Sequence, residues 1–314
     1  MHRLLPAFIA LSSCCPLAAQ SANPPAADSA SIKVTLLGSG GGPGVNVQRY
    51  GISILVEAAG QKLLFDCGRG ATLRAVEAGI RTSELDKVFL THLHSDHIVS
   101  IPDLLLTPWS SSDGRKTPFQ VWGPPGTRHM MEKLLEAFEF DIHIRGDVDE
   151  KFPKEGIRVI STEVSEGVVY DKAGVKVTAF IVDHGPVKPA FGYRVDFAGR
   201  SVAMSGDTRM SENLIRHSQG VDVLFHEAGL GMAALIQQGL SPEQAATVEA
   251  HHTSAEETGI VFNRVKPRLA VYAHGGNAQV AAEARKHYAG PLEIGEDLMV
   301  IRIGEKIGVQ RPRP

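Results

Sequence analysis

From residue 32 onward the chain alternates short β-branched and apolar runs with turn residues, a pattern that predicts strands. The runs in the first half cover residues 32–37, 53–56, 62–65 and 87–90. A second group covers residues 175–182, 190–196 and 201–204. Two further runs, 221–225 and 269–272, are apolar almost throughout, as is typical of buried parallel strands. Similar groups of strands in both halves favour two sheets.

Helical periodicity is clearest over residues 127–140, where four apolar residues recur at i, i+3, i+4 and i+7 and predict one buried stripe: Met131, Leu134, Leu135 and Phe138. Helices are also predicted over residues 211–217, 254–265 and 278–288. Ser254 followed by Glu257 is a capping-box pattern that begins the second of these. The expected fold class is therefore α/β, with two sheets covered by outer helices in one domain over residues 32–314.

Residues 1–19 have the layout of a secretory signal, with His2 and Arg3 before an apolar run over 4–11 and small residues up to Ala19. The run is too short to span a bilayer. Two modes of processing stay open, since residues 11–14 also resemble a lipobox that would leave Cys14 lipidated. Residues 20–31 are rich in Ser, Ala and Pro and indicate a linker. We expect a periplasmic or secreted protein, or one tethered to the membrane by a lipid anchor.

Composition excludes several classes of protein. The chain has 314 residues, of which 43% are hydrophobic, so it can form a sizeable core. Lys and Arg total 32 against 35 for Asp and Glu, which gives no basic excess of the kind that indicates a dedicated nucleic-acid binder. Of the three cysteines, Cys14 and Cys15 lie in the leader and only Cys67 in the body, so no disulfide framework is expected. The glycine-rich loop 38–44 lacks the spacing of a nucleotide-binding motif.

Directly after the strand predicted over 87–90, six residues contain three histidines and one aspartate: His92, His94, Asp96 and His97. Packing does not require such a cluster, whereas imidazole and carboxylate groups together suit zinc or a similar divalent ion. Later strand ends supply further candidate ligands in the motifs DHG at 183–185, GDT at 206–208 and HG at 274–275. We predict two divalent metal ions, first of all zinc, with manganese or iron as alternatives.

The motifs THLHSDH, DHG, SGDT and AHGG, in this order, resemble the metal motifs of the metallo-β-lactamase fold. FDCGRGATLR, HGPVKPAFGYR, LFHEA and HHTSAEE resemble its ribonuclease Z-like branch, which includes zinc arylsulfatases. The resemblance covers nearly all of residues 32–303 and implies an αββα sandwich of two mixed sheets. It also implies a first metal held by His92, His94 and His184, a second held by Asp96, His97 and His274, and a bridge between them by Asp207.

The resemblance also assigns catalytic roles. Two such metals would supply a hydroxide near neutral pH for attack on a tetrahedral anion. Asp96 is expected to orient this nucleophile and accept a proton in addition to binding metal. The resemblance implies that His252 donates a proton to the leaving oxygen with Glu227 as its carboxylate partner, and His251 is the alternative donor.

Four nearby residues are expected to play supporting parts. Asp66 is expected to accept a hydrogen bond from a ligand histidine, and Cys67 to be a small buried residue. For Trp109 and Phe191, a pocket wall and an ordinary aromatic core are equally compatible with the sequence.

The sequence says less about the substrate than about the metal site. Asp207 stands where true β-lactamases often have cysteine, which argues against antibiotic hydrolysis. Only 22 residues separate His184 from Asp207, too few for the long arm that ribonuclease Z carries there. LFHEAG departs from the HEAT of that enzyme, and an exported protein would not meet precursor transfer RNA.

We therefore predict a hydrolase of a small phosphodiester or aryl sulfate ester, with a ribonuclease Z-like endoribonuclease as the alternative. A lactone or carboxylic ester hydrolase and a non-hydrolytic diiron protein are weaker alternatives. Expected partners are a small anionic ester substrate and a second copy of the chain in a homodimer, but not nucleic acid.

Overall fold

The computed structural model describes residues 31–112 and 114–312, and β-strands form the centre of this part of the chain. The strands are β1 (Ile32–Gly38), β2 (Ser53–Ala58), β3 (Gln61–Phe65), β4 (Lys87–Phe89), β5 (Phe119–Gly123), β6 (Val159–Glu163), β7 (Gly167–Lys172), β8 (Val175–His184), β9 (Val187–Phe197), β10 (Arg200–Met204), β11 (Val223–Glu227), β12 (Leu269–His274), β13 (Leu292–Ile294), β14 (Val300–Ile303) and β15 (Ile307–Gln310). They form an eight-stranded sheet in the order β15-β14-β1-β2-β3-β4-β5-β6 and a seven-stranded sheet in the order β13-β12-β11-β10-β9-β8-β7.

Both sheets are mixed. In the first, β15 to β3 pair antiparallel and β3 to β6 pair parallel. In the second, β13 to β10 pair parallel and β10 to β7 pair antiparallel. Short turns join the antiparallel strands that follow one another in the chain, except β1 and β2, which are joined by residues 39–52. The parallel strands need longer crossovers, which place helices on the outer faces.

The helices are α1 (Ala71–Glu77), α2 (Ser95–Ile98), α3 (Ile101–Ser110), α4 (Thr127–Ala137), α5 (Glu139–His143), α6 (Lys154–Ile157), α7 (Glu212–His217), α8 (Met232–Gln237), α9 (Pro242–Glu249), α10 (Ala255–Val265) and α11 (Ala278–Ala284). Buried apolar residues form three clusters, one between the sheets and one under the helices on each outer face. This arrangement confirms the expected αββα sandwich.

The predicted strands are all present, with ends shifted by up to three residues, and β11 and β12 pair parallel as predicted. The capping box of Ser254 and Glu257 is also confirmed. Two helices are shorter than predicted, since α4 ends at Ala137 and α11 ends at Ala284. The buried stripe predicted on the first of these is confirmed in part: Met131 is buried, Leu134 and Leu135 are partly buried and pack against the same apolar cluster, and Phe138 is only partly buried.

Three other predictions concern the core. Trp109 and Phe191 are 0% and 1% exposed and belong to the apolar clusters, so they are core residues. Cys67 is a free, fully buried cysteine, and burial raises the pKa of its thiol. The predicted leader, and the linker except for its last residue, lie outside the described residues. Within the described ranges, no helix has the length and hydropathy needed to cross a bilayer.

A buried arginine compensates for a proline inside α3. Pro108 has no N–H group, so the carbonyl of Leu104, one turn earlier, lacks its helical donor. Arg115 is 1% exposed and donates hydrogen bonds to this carbonyl at 2.9 Å and to the carbonyl of Gly156 at 3.0 Å.

We expect Arg115→Met to lower the free energy of unfolding by about 2–4 kcal/mol, because it leaves several buried carbonyls without donors. Urea denaturation followed by circular dichroism measures this change. The matched control is Arg158→Met, at an exposed arginine paired with Glu155, which should leave the unfolding midpoint nearly unchanged. Similar midpoints for both variants would contradict the role given to Arg115.

Candidate metal centre

Strand ends from both sheets meet at one edge of the sandwich and bring the predicted ligands together. The cluster that begins at His92 follows β4, whereas His184 and His274 are the last residues of β8 and β12. Asp207 follows β10 by three residues. Because β10, β11 and β12 are parallel, their carboxyl ends lie at the same edge, where α/β proteins build their sites.

The first set of candidate ligands consists of His92, His94 and His184. One ring nitrogen of each lies within 4.8 Å of the others, and His184 Nε2 lies 3.3 Å from His94 Nδ1. His184 Nδ1 donates a hydrogen bond of 3.0 Å to the carbonyl of His251, which leaves the Nε2 lone pair directed at the cluster. This is the arrangement by which proteins orient metal-binding imidazoles.

The second set consists of Asp96, His97, Asp207 and His274. His97 Nε2 lies 3.4 Å from Asp207 Oδ1 and 3.6 Å from Asp96 Oδ2. His274 Nε2 lies 3.5 Å from Asp96 Oδ2, and its Nδ1 lies 3.6 Å from Asp207 Oδ1. Asp207 also lies within 4.8 Å of His184 from the first set, so it stands between the two.

Three buried atoms of this cluster have no hydrogen-bond partner among the described residues: His92 Nε2, His97 Nε2 and Asp207 Oδ1. Buried polar atoms are normally paired, and each of these three is a good ligand for a divalent metal. The donor set is five imidazoles and two carboxylates, as the sequence predicted. The residues therefore fit a pair of divalent metal ions, and zinc is the metal for which such ligands are most typical.

The ionisation state of Asp207 is consistent with a pair of divalent metal ions at this site. Its side chain is 3% exposed, and burial on its own would raise its pKa. The neighbouring imidazoles of His274 and His97 outweigh burial and hold the pKa of Asp207 well below its usual range. The carboxylate is thus the ionised form that metal binding requires.

Asp66 contacts the second ligand set through His97, on the side of the ring away from the other ligands. Its Oδ2 lies 2.8 Å from His97 Nδ1, and its Oδ1 accepts a hydrogen bond of 2.9 Å from the backbone of Thr91. Asp66 has a φ of 57°, a left-handed conformation that is uncommon outside glycine and less so for Asp and Asn. The predicted role of Asp66 as acceptor for a ligand histidine therefore agrees with the geometry.

Asp66→Ala is expected to weaken metal affinity about 10–100-fold, because His97 loses the partner that fixes its ring. Asp66→Asn tolerates the same backbone conformation and keeps one acceptor oxygen, so its loss should be smaller. Competition with a colorimetric chelator measures both affinities. Equal affinity in Asp66→Ala and the unmodified chain would rule out this supporting role.

His252 and Glu227 form the predicted pair beside Asp207. Glu227 is 2% exposed, and its Oε1 accepts hydrogen bonds from the backbone of Thr253 at 2.9 Å and of Thr208 at 3.3 Å. Its Oε2 lies 3.2 Å from His252 Nδ1. Burial lowers the pKa of His252, but the hydrogen bond and the negative charge of Glu227 outweigh it and raise that pKa to about 9. A protonated imidazole in this position can act as a general acid.

His251, the alternative donor, is placed differently. Its carbonyl holds His184, and its ring packs against Gly185, where an added Cβ would lie 2.6 Å from the imidazole. Among the described residues, Glu227 pairs with His252 and not with His251. The structure allows a second role for His252. One of its ring nitrogens lies within 4.8 Å of ligand atoms of His184 and Asp207, so His252 is also a candidate metal ligand.

Sequence reasoning missed the cavity of about 340 Å³ next to the second set. The glycine-rich loop forms one wall and packs against a ligand, since an added Cβ on Gly41 would lie 3.0 Å from His274 Nδ1. The run of glycines over residues 38–44 is the sequence signal for this wall, although it lacks the spacing of a nucleotide-binding motif.

Known proteins similar to this chain point to one family. A family model described as the beta-lactamase superfamily domain matches residues 61–274. The chain is 37% identical over 284 residues to a ribonuclease Z of Mycobacterium sp. strain KMS, a match that covers 87% of this chain and 96% of that protein. It is 34% identical to a ribonuclease Z of Mycobacterium marinum, with 87% and 99% covered.

Solved structures show the same fold at lower sequence identity. A metallo-β-lactamase fold protein of Bacillus subtilis superposes with a TM-score of 0.66 at 19% identity, covering 87% of this chain and 99% of its own. The short form of human tRNase Z superposes with a TM-score of 0.62 at 22% identity, covering 86% and 98%.

Proposed function

Since the chain belongs to the beta-lactamase superfamily, as a ribonuclease Z-like member with the metallo-β-lactamase fold, we propose that it is a phosphodiesterase that cleaves RNA. The superfamily match and the ribonuclease Z relatives together make the chain a hydrolase. The observation that carries the finer proposal is one cluster of side chains: two ligand sets that meet at Asp207, with the His252–Glu227 pair beside them.

The residues of the two sets would hold the metals, with Asp207 between them. When bound, two divalent ions lower the pKa of water and stabilise negative charge on the attacking and leaving oxygens. Asp96 directs Oδ2 at His97 and His274, which leaves Oδ1 to accept a hydrogen bond and then a proton from the attacking water. His252 donates the proton of Nε2 to the leaving oxygen, because Glu227 holds its Nδ1.

The sequence identity to ribonucleases Z supports RNA as the substrate more strongly than it supports the smaller ester predicted from the sequence. The missing arm does not separate this chain from the mycobacterial ribonucleases Z. Those relatives match along 96% or more of their own length, which leaves no long additional arm within the matched region. The departure of LFHEAG from HEAT leaves Glu227, the acidic residue of that motif, paired with His252.

A small phosphodiester or aryl sulfate is the second candidate. It is favoured by the predicted leader, since an exported enzyme would not meet precursor transfer RNA. Export and a homodimer remain proposals, to be checked by cell fractionation and by light scattering of the purified chain.

The experiment is a substrate panel with the zinc-loaded and manganese-loaded chain. The panel contains a precursor transfer RNA with a 3′ trailer, bis(p-nitrophenyl) phosphate, p-nitrophenyl sulfate and an aliphatic lactone. We expect cleavage of the RNA and the diester, and no turnover of the sulfate or the lactone. An Asp207→Ala preparation controls for contaminating nucleases.

Two outcomes would contradict the proposal. Hydrolysis of the small diester without cleavage of RNA would support the second candidate and exclude RNA as the preferred substrate. Turnover of only the sulfate or the lactone would overturn phosphodiester hydrolysis altogether.

A further inference from the structure

The cavity beside the second ligand set has the size of a substrate site. Its volume is about 340 Å³, within the range of about 300–1,000 Å³ that small-ligand sites occupy. Asp96 lies at one end of it, and the glycine-rich loop, Leu230 and Gln238 enclose the rest. A group of the substrate next to the reacting bond would therefore enter this cavity.

Of the residues in the described ranges, three charged ones line the cavity: Arg49, Arg69 and Asp96. Asp96 is a candidate metal ligand, so the remaining charge on the wall is positive. Arg49 has a structural role. It donates hydrogen bonds to the carbonyls of Gly276 at 2.7 Å, Ser39 at 2.9 Å and Gly295 at 3.0 Å. Together with a bond of 3.3 Å from its Nε to Ser39 Oγ, these contacts use four of its five N–H groups.

The side chain of Arg69, by contrast, has its N–H groups available to a ligand. Arg69 is exposed, and its side chain makes no hydrogen bond or ion pair with any other residue that the structure describes. Its backbone is held firmly, because its carbonyl accepts a hydrogen bond of 3.0 Å from Gly51. The preceding Gly68 lies so close to Asp96 that an added Cβ would be 2.6 Å from the Asp96 carbonyl. The backbone of Arg69 is thus held next to the residue that would position the attacking water, and both residues line the same cavity.

The segment 39–50, which contains most of the glycine-rich loop, is held at both ends. Asp297 is buried and accepts hydrogen bonds from the backbone of Ser39 at 2.9 Å and of Tyr50 at 2.7 Å. Arg74 lies 3.3 Å from the same carboxylate and stacks on the ring of Tyr50. The cavity is therefore a formed site, and among the described residues of its wall Arg69 is the one cation with an unpaired side chain.

We propose that Arg69 binds an anionic group of the substrate one position away from the reacting bond, and that this contact determines substrate specificity. In an RNA chain this group is the phosphate of the adjacent nucleotide, which a guanidinium binds in a bidentate manner. The inference rests on the proposed phosphodiesterase function and adds to it a requirement for a second negative charge.

The test compares two substrates that differ only in that charge: thymidine 5′-(p-nitrophenyl phosphate) and the same compound with a 3′-phosphate. We expect the unmodified chain to hydrolyse the 3′-phosphorylated substrate with a kcat/KM about tenfold higher, the effect of one charge-assisted contact. Arg69→Gln should bring this ratio close to one, and Arg69→Lys should retain part of it. Arg302→Ala, at an exposed arginine of β14 outside the cavity, should leave the ratio unchanged.

Calorimetry gives a second readout that does not depend on turnover. Thymidine 3′,5′-bisphosphate should bind the unmodified chain about tenfold more tightly than thymidine 5′-phosphate, and Arg69→Gln should lose this difference. A ratio near one in the unmodified chain, or a preference that survives Arg69→Gln, would overturn the inference and leave the phosphodiesterase proposal intact. Failure to hydrolyse either nucleotide ester or bis(p-nitrophenyl) phosphate would instead overturn the proposed function itself.

Discussion

Asp207→Ala is expected to abolish hydrolysis and to remove the metals from the chain. Asp207 is the residue that stands between both ligand sets, and its Oδ1 lies 3.4 Å from His97 Nε2 and 3.6 Å from His274 Nδ1. Without it, five imidazoles converge on one buried space with Asp96 as the remaining carboxylate of the cluster. We expect kcat/KM to fall at least about 10³-fold, the loss typical of removing a principal source of charge stabilisation.

Elemental analysis after gel filtration measures the metal content, and hydrolysis of bis(p-nitrophenyl) phosphate measures the activity. Asp207→Asn keeps the volume of the side chain and separates loss of charge from loss of packing. Asp171→Ala, at an exposed aspartate of β7, is the matched control and should match the unmodified chain in both measurements. If Asp207→Ala retained two metals per chain and full activity, the proposed site would be wrong.

His252→Ala is expected to retain the metals and to lose turnover according to the leaving group. A general acid matters most when the leaving oxygen is strongly basic, as in the ribose hydroxyl of RNA. We therefore expect kcat for RNA to fall about 10²–10⁴-fold, and kcat for a p-nitrophenyl ester to fall less than about tenfold. Glu227→Gln should show the same pattern with a smaller loss, because it removes the charge that holds His252 protonated.

His129→Ala, at an exposed histidine of α4, controls for removal of an imidazole as such. Equal losses on both leaving groups would exclude His252 as the acid. Loss of metal from His252→Ala would instead assign His252 to the ligand shell with His184 and Asp207, the other arrangement that the distances allow.

Ligands that lie close together in the sequence could be predicted from their local pattern alone, whereas isolated ligands could not. His92, His94, Asp96 and His97 could be recognised on their own, because three histidines and an aspartate in six residues have no role in packing. His184, Asp207 and His274 are individually ambiguous, since single histidines and aspartates at strand ends often only satisfy hydrogen bonds. Their assignment came from their position at strand ends and from the resemblance to a family.

The burial of α4 and the cavity show what pattern reasoning leaves out. Helical periodicity identified which face of α4 meets the sheet, but of the four apolar residues predicted on that face only Met131 is buried. How deeply a helix face is buried depends on the distance to the sheet, which periodicity does not contain. The cavity is enclosed by segments around positions 40–51, 69, 230–238 and 275–277, and no local pattern joins them.

Alternating apolar runs, a capping box and a dense histidine motif were sufficient to establish the α/β class and the kind of chemistry, because each depends on interactions between near neighbours in the chain. Contacts across the fold decided the rest. His184 is oriented by the carbonyl of His251, His97 by Asp66, and Glu227 by the backbone of Thr253. Such contacts orient the imidazole nitrogens and the carboxylates of the site, and they form only when segments distant in the chain pack together in the fold.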